Sequence, residues 1–121
     1  MMIASVMKPE EIVLFLRSKR FPLNDEKRLQ AMLSDELTAA GMDHRREVVL
    51  APGDKVDFML GSVAIEVKIR ESKRNIYNQC ARYMEHDSVS ALVLLTATAI
   101  GLPPEIFGKP IYYVSLSRSW L

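Results

Sequence analysis

Apolar residues recur at every second position on both sides of Gly61-Ser62: Val56, Phe58 and Leu60 before it, then Val63, Ile65, Val67 and Ile69 after it. This period belongs to strands with one face on a core. The Gly-Ser pair predicts a two-residue hairpin loop with Gly at the first central position of a type II′ turn. That register sets Leu60 against Val63, Met59 against Ala64, Phe58 against Ile65 and Asp57 against Glu66. The second face is then unusual, because Asp57, Glu66 and Lys68 share it.

Ahead of the hairpin the period is helical. Residues 9–19 predict a first helix, with Pro9 at its first position, Glu10 and Glu11 at the positive end of the dipole, and Ile12, Phe15, Leu16 and Lys19 on one side. Pro22 ends it. A second helix starts after Asn24 as N-cap, carries Asp25 and Glu26 in its first turn, and stops at Gly41. Its apolar stripe is Leu29, Met32, Leu33, Leu37 and Ala40. Residues 47–50 read as a short strand, turned by Pro52-Gly53.

Beyond the hairpin lies a basic loop with Ser72 as a cap, then a third helix over residues 73–86. Ile76, Cys80, Tyr83 and Met84 form its buried side, and Gln79 and Tyr83 are one turn apart. Residues 90–96 are a continuous apolar run, as in a central strand covered on both faces. Residues 102–107 predict a short helical turn after Gly101. Residues 110–116 predict a last strand near an edge, because Pro110 opens it. The fold class is α/β: a mixed β-sheet flanked by helices, in the order α-α-β-β-β-α-β-β, with a crossover helix feeding a parallel strand.

Length, charge and cysteine content narrow the classes. At 121 residues the chain makes a single domain, and 49% hydrophobic residues suffice for a core. A net charge of +1 leaves the partner open, since charge acts locally. The single cysteine, Cys80, excludes a disulfide framework or a zinc cluster and fits a reducing, cytoplasmic setting; it reads as buried packing. No run reaches the roughly 18 apolar residues of a membrane span, and no charged leader precedes a long apolar stretch, so neither a membrane partner nor a secretory signal is expected.

The chemistry concentrates on the hairpin. Carboxylates directly opposed on neighbouring strands repel. A divalent cation between them turns that repulsion into a site, and hard oxygen ligands suit Mg²⁺. Glu26 and Glu36 lie beside the stripe of the second helix, where either reaches inward toward the sheet. Arg45, Arg46, Arg70, Lys73, Arg74 and Arg82 flank these elements and are candidate phosphate contacts. His44 reads as a loop residue.

Glu26, Asp57, the Glu66-Val67-Lys68 triplet and Gln79-Cys80-Ala81-Arg82-Tyr83 together resemble the PD-(D/E)xK nuclease superfamily, which has the restriction-endonuclease-like fold. They match a helix glutamate, a metal aspartate on the second strand, an ExK on the third, and the QxxxY motif of the RecB-like and phage exonuclease branches. Val56 stands where the superfamily pattern has its proline. The resemblance covers residues 24–96, preceded by a helical extension over residues 1–22, in a compact core without a separate specificity domain.

The resemblance implies Mg²⁺ or Mn²⁺ held by Asp57, Glu66 and the carbonyl of Val67, with Glu26 supporting the ion directly or through water. It implies Lys68 at the attacking water and Gln79 facing the site, with Tyr83 beside it or on the nucleic-acid backbone. The expected function is a metal-dependent DNA nuclease, directed by structure or ends rather than by sequence. One alternative is a homodimeric resolvase of branched DNA, using the first helix as an interface. Another is a protein that binds nucleic acid, alone or within a larger DNA-processing complex, without cutting it.

Overall fold

The computed structural model describes residues 7–116. Three helices and six strands follow one another: α1 (Pro9–Arg17), α2 (Glu26–Ala39), β1 (Arg45–Ala51), β2 (Asp54–Leu60), β3 (Val63–Lys68), α3 (Lys73–Met84), β4 (Ala91–Thr96), β5 (Glu105–Ile106) and β6 (Lys109–Ser115). The strands form one mixed sheet in the order β1-β2-β3-β4-β6-β5. β1, β2 and β3 make an antiparallel meander; β3 and β4 run parallel, as the crossover through α3 requires, and β6 runs parallel to β4.

Two apolar layers cover the sheet. On one side α1 and α2 bring Ile12, Leu16, Leu29, Leu33 and Leu37 onto Phe58, Ile65, Val67, Val93 and Leu95. On the other, α3 brings Ile76, Cys80, Tyr83 and Met84, the four residues its periodicity predicts, onto Met59, Ala64, Leu92 and Leu94. Every residue of β4 is buried, which is why its sequence is a solid apolar run rather than an alternation. No helix among the described residues is long and apolar enough to cross a membrane.

The helix ends follow their capping chemistry. Asp25, not Asn24, caps α2: its Oδ1 accepts the Arg28 N–H at 3.1 Å, which makes Glu26 the first helical residue. Ser72 caps α3, accepting from the Asn75 N–H. Gly41, at φ +72°, supplies the left-handed residue that ends α2. α1 stops two residues short of Lys19, and α3 two short of His86. Of the predicted stripe of α2, Leu29, Leu33 and Leu37 are buried, whereas Ala40 is exposed as the cap residue.

One expectation about the end of the chain is corrected. Residues 102–107 form no helical turn. Glu105 and Ile106 make a two-residue strand paired with Pro110 and Lys109, and Phe107 and Gly108, both at positive φ, close it as a tight hairpin. β6 lies near the edge as expected, with only the two-residue β5 outside it. Pro110 is tolerated because the Ile111 N–H, next along, bonds the Pro104 carbonyl instead. Past that point, the Arg17 guanidinium covers the outer flank by donating to the Tyr113 carbonyl at 3.1 Å.

Candidate active site

The site lies where the β2–β3 hairpin opens. At the turn the register is the predicted one: Leu60 pairs with Val63, Met59 with Ala64 and Phe58 with Ile65. Gly61 has φ +61° and Ser62 lies outside the positive-φ region, as a type II′ turn needs. The pairing stops one step before Asp57 and Glu66 would face each other.

Beyond that point the backbone donors go to carboxylates. Glu66 Oε1 accepts the Asp57 N–H at 3.1 Å, and Asp57 Oδ2 accepts the Val67 N–H at 2.8 Å. From α2, Glu26 Oε2 accepts the Ile69 N–H at 3.1 Å. Three donors near the mouth of the hairpin are thus held by three acids from three elements, and none is left orphaned.

The neighbouring strand yields at the same place. β1 pairs with β2 at Arg46–Phe58 and Val48–Val56, skipping Glu47 and Asp57, and Glu47 sits at φ +50°. The β1–β2 register is the same on both sides of Glu47 and shifts only between Val49 and Ala51, yet the alternation of β2 reverses at Asp57. Phe58 and Leu60 face α1 and α2 as predicted, but Val56 joins the α3 layer, so the expected single apolar face of Val56, Phe58 and Leu60 does not form.

The electrostatics follow from burial. Glu66 is 2% exposed, one of only two buried polar side chains among the described residues. Desolvation, and next the Asp57 charge beside it, push its pKa up to about 8. Asp57 is also raised, by burial first; the Val67 N–H and the Lys68 charge oppose the rise, and the Glu26 charge adds to it. Burial thus favours a retained proton over two full charges on this pair. Lys68 Nζ lies 3.6 Å from Glu66 Oε2.

The other predicted residues divide. Gln79 shares an open groove with Lys68, together with Glu71, Asn75, Asn78 and Arg82. Asn75, Asn78, Gln79 and Arg82 are spaced three, one and three apart on α3, so this polar stripe was legible as a helical face and was missed. Glu36 is removed from consideration, since it pairs with Lys19 at 3.2 Å. Tyr83 is corrected as a nucleic-acid contact: it is 1% exposed and donates its hydroxyl to the Lys55 carbonyl at 2.9 Å, fastening α3 to β2.

The basic residues are likewise split. The Arg82 Nε is held by Asp54 Oδ1 at 3.0 Å, and Asp54 Oδ2 also meets His86 Nε2 at 3.0 Å. No sequence signal pointed to this anchor from the β1–β2 turn. Arg46 stacks over Phe58, on the α1/α2 side. Arg45, Arg70, Lys73 and Arg74 are exposed, and none has a carboxylate partner among the described residues. His44 is fixed between Ser34 and the Met42 carbonyl. Cys80 is buried, and its thiol is pushed up to about 12, which suits packing rather than reactivity.

The donor set suits a hard divalent cation, being carboxylate oxygen throughout. Each acid commits one oxygen to a backbone N–H and keeps the other for a proton, an ammonium or a cation. In this arrangement no group of three or more His, Cys, Asp or Glu among the described residues closes as a ready cage. Comparison with family models, curated proteins and solved structures finds no match for this chain.

Proposed function

We propose that the chain is a metal-dependent nuclease of the PD-(D/E)xK type, hydrolysing DNA phosphodiester bonds by structure or end rather than by sequence. One observation carries the reading: two carboxyls lie together in the sheet, where the strands part, with an ammonium 3.6 Å from the buried one. Burying an acid beside a second acid is costly, and a solvated strand face has no use for it. The order from α2 to β4 also supports it, with Glu26 on a helix, Asp57 and Glu66 on adjacent strands, and Gln79 on the helix that follows.

Asp57 and Glu66, with Glu26 behind them, are the residues that would hold Mg²⁺ or Mn²⁺. Such an ion, when bound, neutralises charge at phosphorus and acidifies water. The backbone bonds of Asp57, Glu66 and Glu26 fix the three side chains before any ligand arrives, which is preorganisation. Lys68, on the groove side, orients the attacking water and meets charge developing on the phosphoryl oxygens. Gln79, on the opposite wall, positions the phosphate by donating its amide.

The test uses linear, branched and single-stranded DNA with Mg²⁺ or Mn²⁺. Cleavage of at least one substrate is expected, abolished by EDTA and lowered roughly 10²-fold or more in Lys68→Ala. If wild type and variant leave every substrate equally intact, the reading fails. Cutting of the branched substrate alone selects a resolvase.

A second reading has its own support. All three acids are satisfied by backbone donors, so the cluster is also a complete structural clasp. In that case the protein binds DNA without cutting it, and the same assay shows retention without cleavage.

A further inference from the structure

A second groove lies on the far side of β3 from Gln79. It is lined by Pro22, Leu23 and Asn24 from the α1–α2 connection, Arg28 from α2, and Arg70 from just past β3. It adjoins the acid cluster through both walls. Glu26 sits between Asn24 and Arg28, and its carboxylate bonds the N–H of Ile69, the residue before Arg70.

The two guanidiniums come from segments 42 residues apart, and both are exposed. Neither has an ion-pair or side-chain hydrogen-bond partner among the described residues; only the Arg28 backbone is engaged, by Asp25. The lining contains no acid. Two like charges on one apolar-walled groove repel unless an anion lies between them. Arginine's planar fork matches a phosphate bidentately. The volume, about 570 Å³, is in the range of sites for small ligands.

We propose that Arg28 and Arg70 form a phosphate-binding subsite that holds a nucleotide unit of a nucleic-acid strand, with Pro22 and Leu23 against its sugar or base. Lys68 and Ile69 separate it from the Gln79 groove, so a strand held here passes the acid cluster. The proposal rests on the DNA reading above but not on cleavage. An internal phosphodiester and a terminal phosphate share the same chemistry, and the experiment separates them.

Binding is measured with the full chain in EDTA, against fluorescent single-stranded and duplex 20-mers, each with a 5′-phosphate or a 5′-hydroxyl, across a salt series. Arg28→Ala and Arg70→Ala are expected to weaken binding roughly five- to tenfold each. The double variant should flatten the salt slope by about one to two phosphate contacts. Lys27→Ala removes the same charge from the neighbouring position of α2, outside the lining, and should change affinity less than twofold. A loss confined to 5′-phosphate probes assigns a terminal phosphate; an equal loss on both assigns an internal one.

The proposal is overturned if the double variant binds as wild type does, if Lys27→Ala loses as much, or if wild type binds no probe. Thermal unfolding within about 2 °C of wild type shows that the exposed substitutions leave the fold intact. Binding that depends on Arg28 and Arg70 without any cleavage in Mg²⁺ sinks the nuclease reading and keeps the subsite. Cleavage with unaltered binding does the reverse.

Discussion

The two ends of the β2–β3 hairpin share strands and solve opposite problems. At the turn, Phe58, Leu60, Val63 and Ile65 are buried apolar residues, and the backbone bonds run strand to strand. At the mouth, one step past the Phe58–Ile65 pair, Glu66 is as buried as they are but carries an ionisable group, and the backbone N–H groups bond to carboxylates instead. The contrast shows what each kind of residue can hold. Apolar side chains leave the main chain to pair with itself. Acids placed at the same depth must be satisfied, so they take the donors the ladder would use and the strands part.

The sharpest way to probe the turn end is Ile65→Ala. Ile65 is fully buried between Phe58 and Val93. Truncation there removes transfer energy and leaves a cavity, so a loss of about 3 kcal/mol is expected in denaturant unfolding at pH 7. The pH dependence of stability should stay that of wild type, because no titrating group is touched. A loss below about 1 kcal/mol would mean that this end is not the rigid half of the hairpin.

At the mouth the expected signature is reversed, with pH mattering more than volume. The folded-state pKa of Glu66, about 8, lies above the ordinary glutamate value of 4.5. Between these values the folded chain holds a proton that the unfolded chain has released. Its contribution is therefore complete below about pH 4.5 and is lost as pH rises toward 8, by about 1.4 kcal/mol per pH unit at most. Asp57 is raised as well, so part of the fall begins at the acid end. Glu66→Gln cannot ionise. Its stability relative to wild type should rise steadily from pH 5 to pH 8, while any metal-dependent activity disappears. Parallel stability curves for the two proteins would contradict the buried-pair account.

This division also explains what was legible beforehand. Periodicity gave the turn, the register as far as Phe58–Ile65, the burial of Ile76, Cys80, Tyr83 and Met84, and the fully covered β4, because all of these are consequences of apolar period alone. The break at Asp57 was not legible. It depends on three acids from α2, β2 and β3 each taking a backbone donor, and on Glu47 adopting a left-handed backbone, neither of which has a local pattern. Tyr83 carried two readings, burial and a nucleic-acid contact, and only the first holds. Sharing a helix with Gln79 suggested a common task, but Tyr83 lies on the stripe that includes Cys80 and Met84, and so points into the core. β5 escaped notice because two residues carry no period, and Phe107, which an ordinary turn would not place at positive φ, disguised the hairpin.

The smallest effect tests whether the turn itself sets the geometry at the mouth. Gly61 holds φ +61° with open space where a Cβ would lie, so Gly61→Ala meets no clash and feels only the left-handed backbone. The expected cost is about 1 kcal/mol, measured by thermal unfolding. If the core and the acids, rather than the loop, hold the register, the strain stays at the turn, and the Asp57 and Val67 amides keep wild-type protection in hydrogen exchange. Should the loop relax to a longer one, the register slips by a residue, and a one-residue slip turns every side chain of β3 to the opposite face. Glu66 and Asp57 would then separate, and protection of those two amides would vanish together with the pH dependence of stability. Retained protection with the modest loss means that the acids and the core hold the mouth independently of the turn.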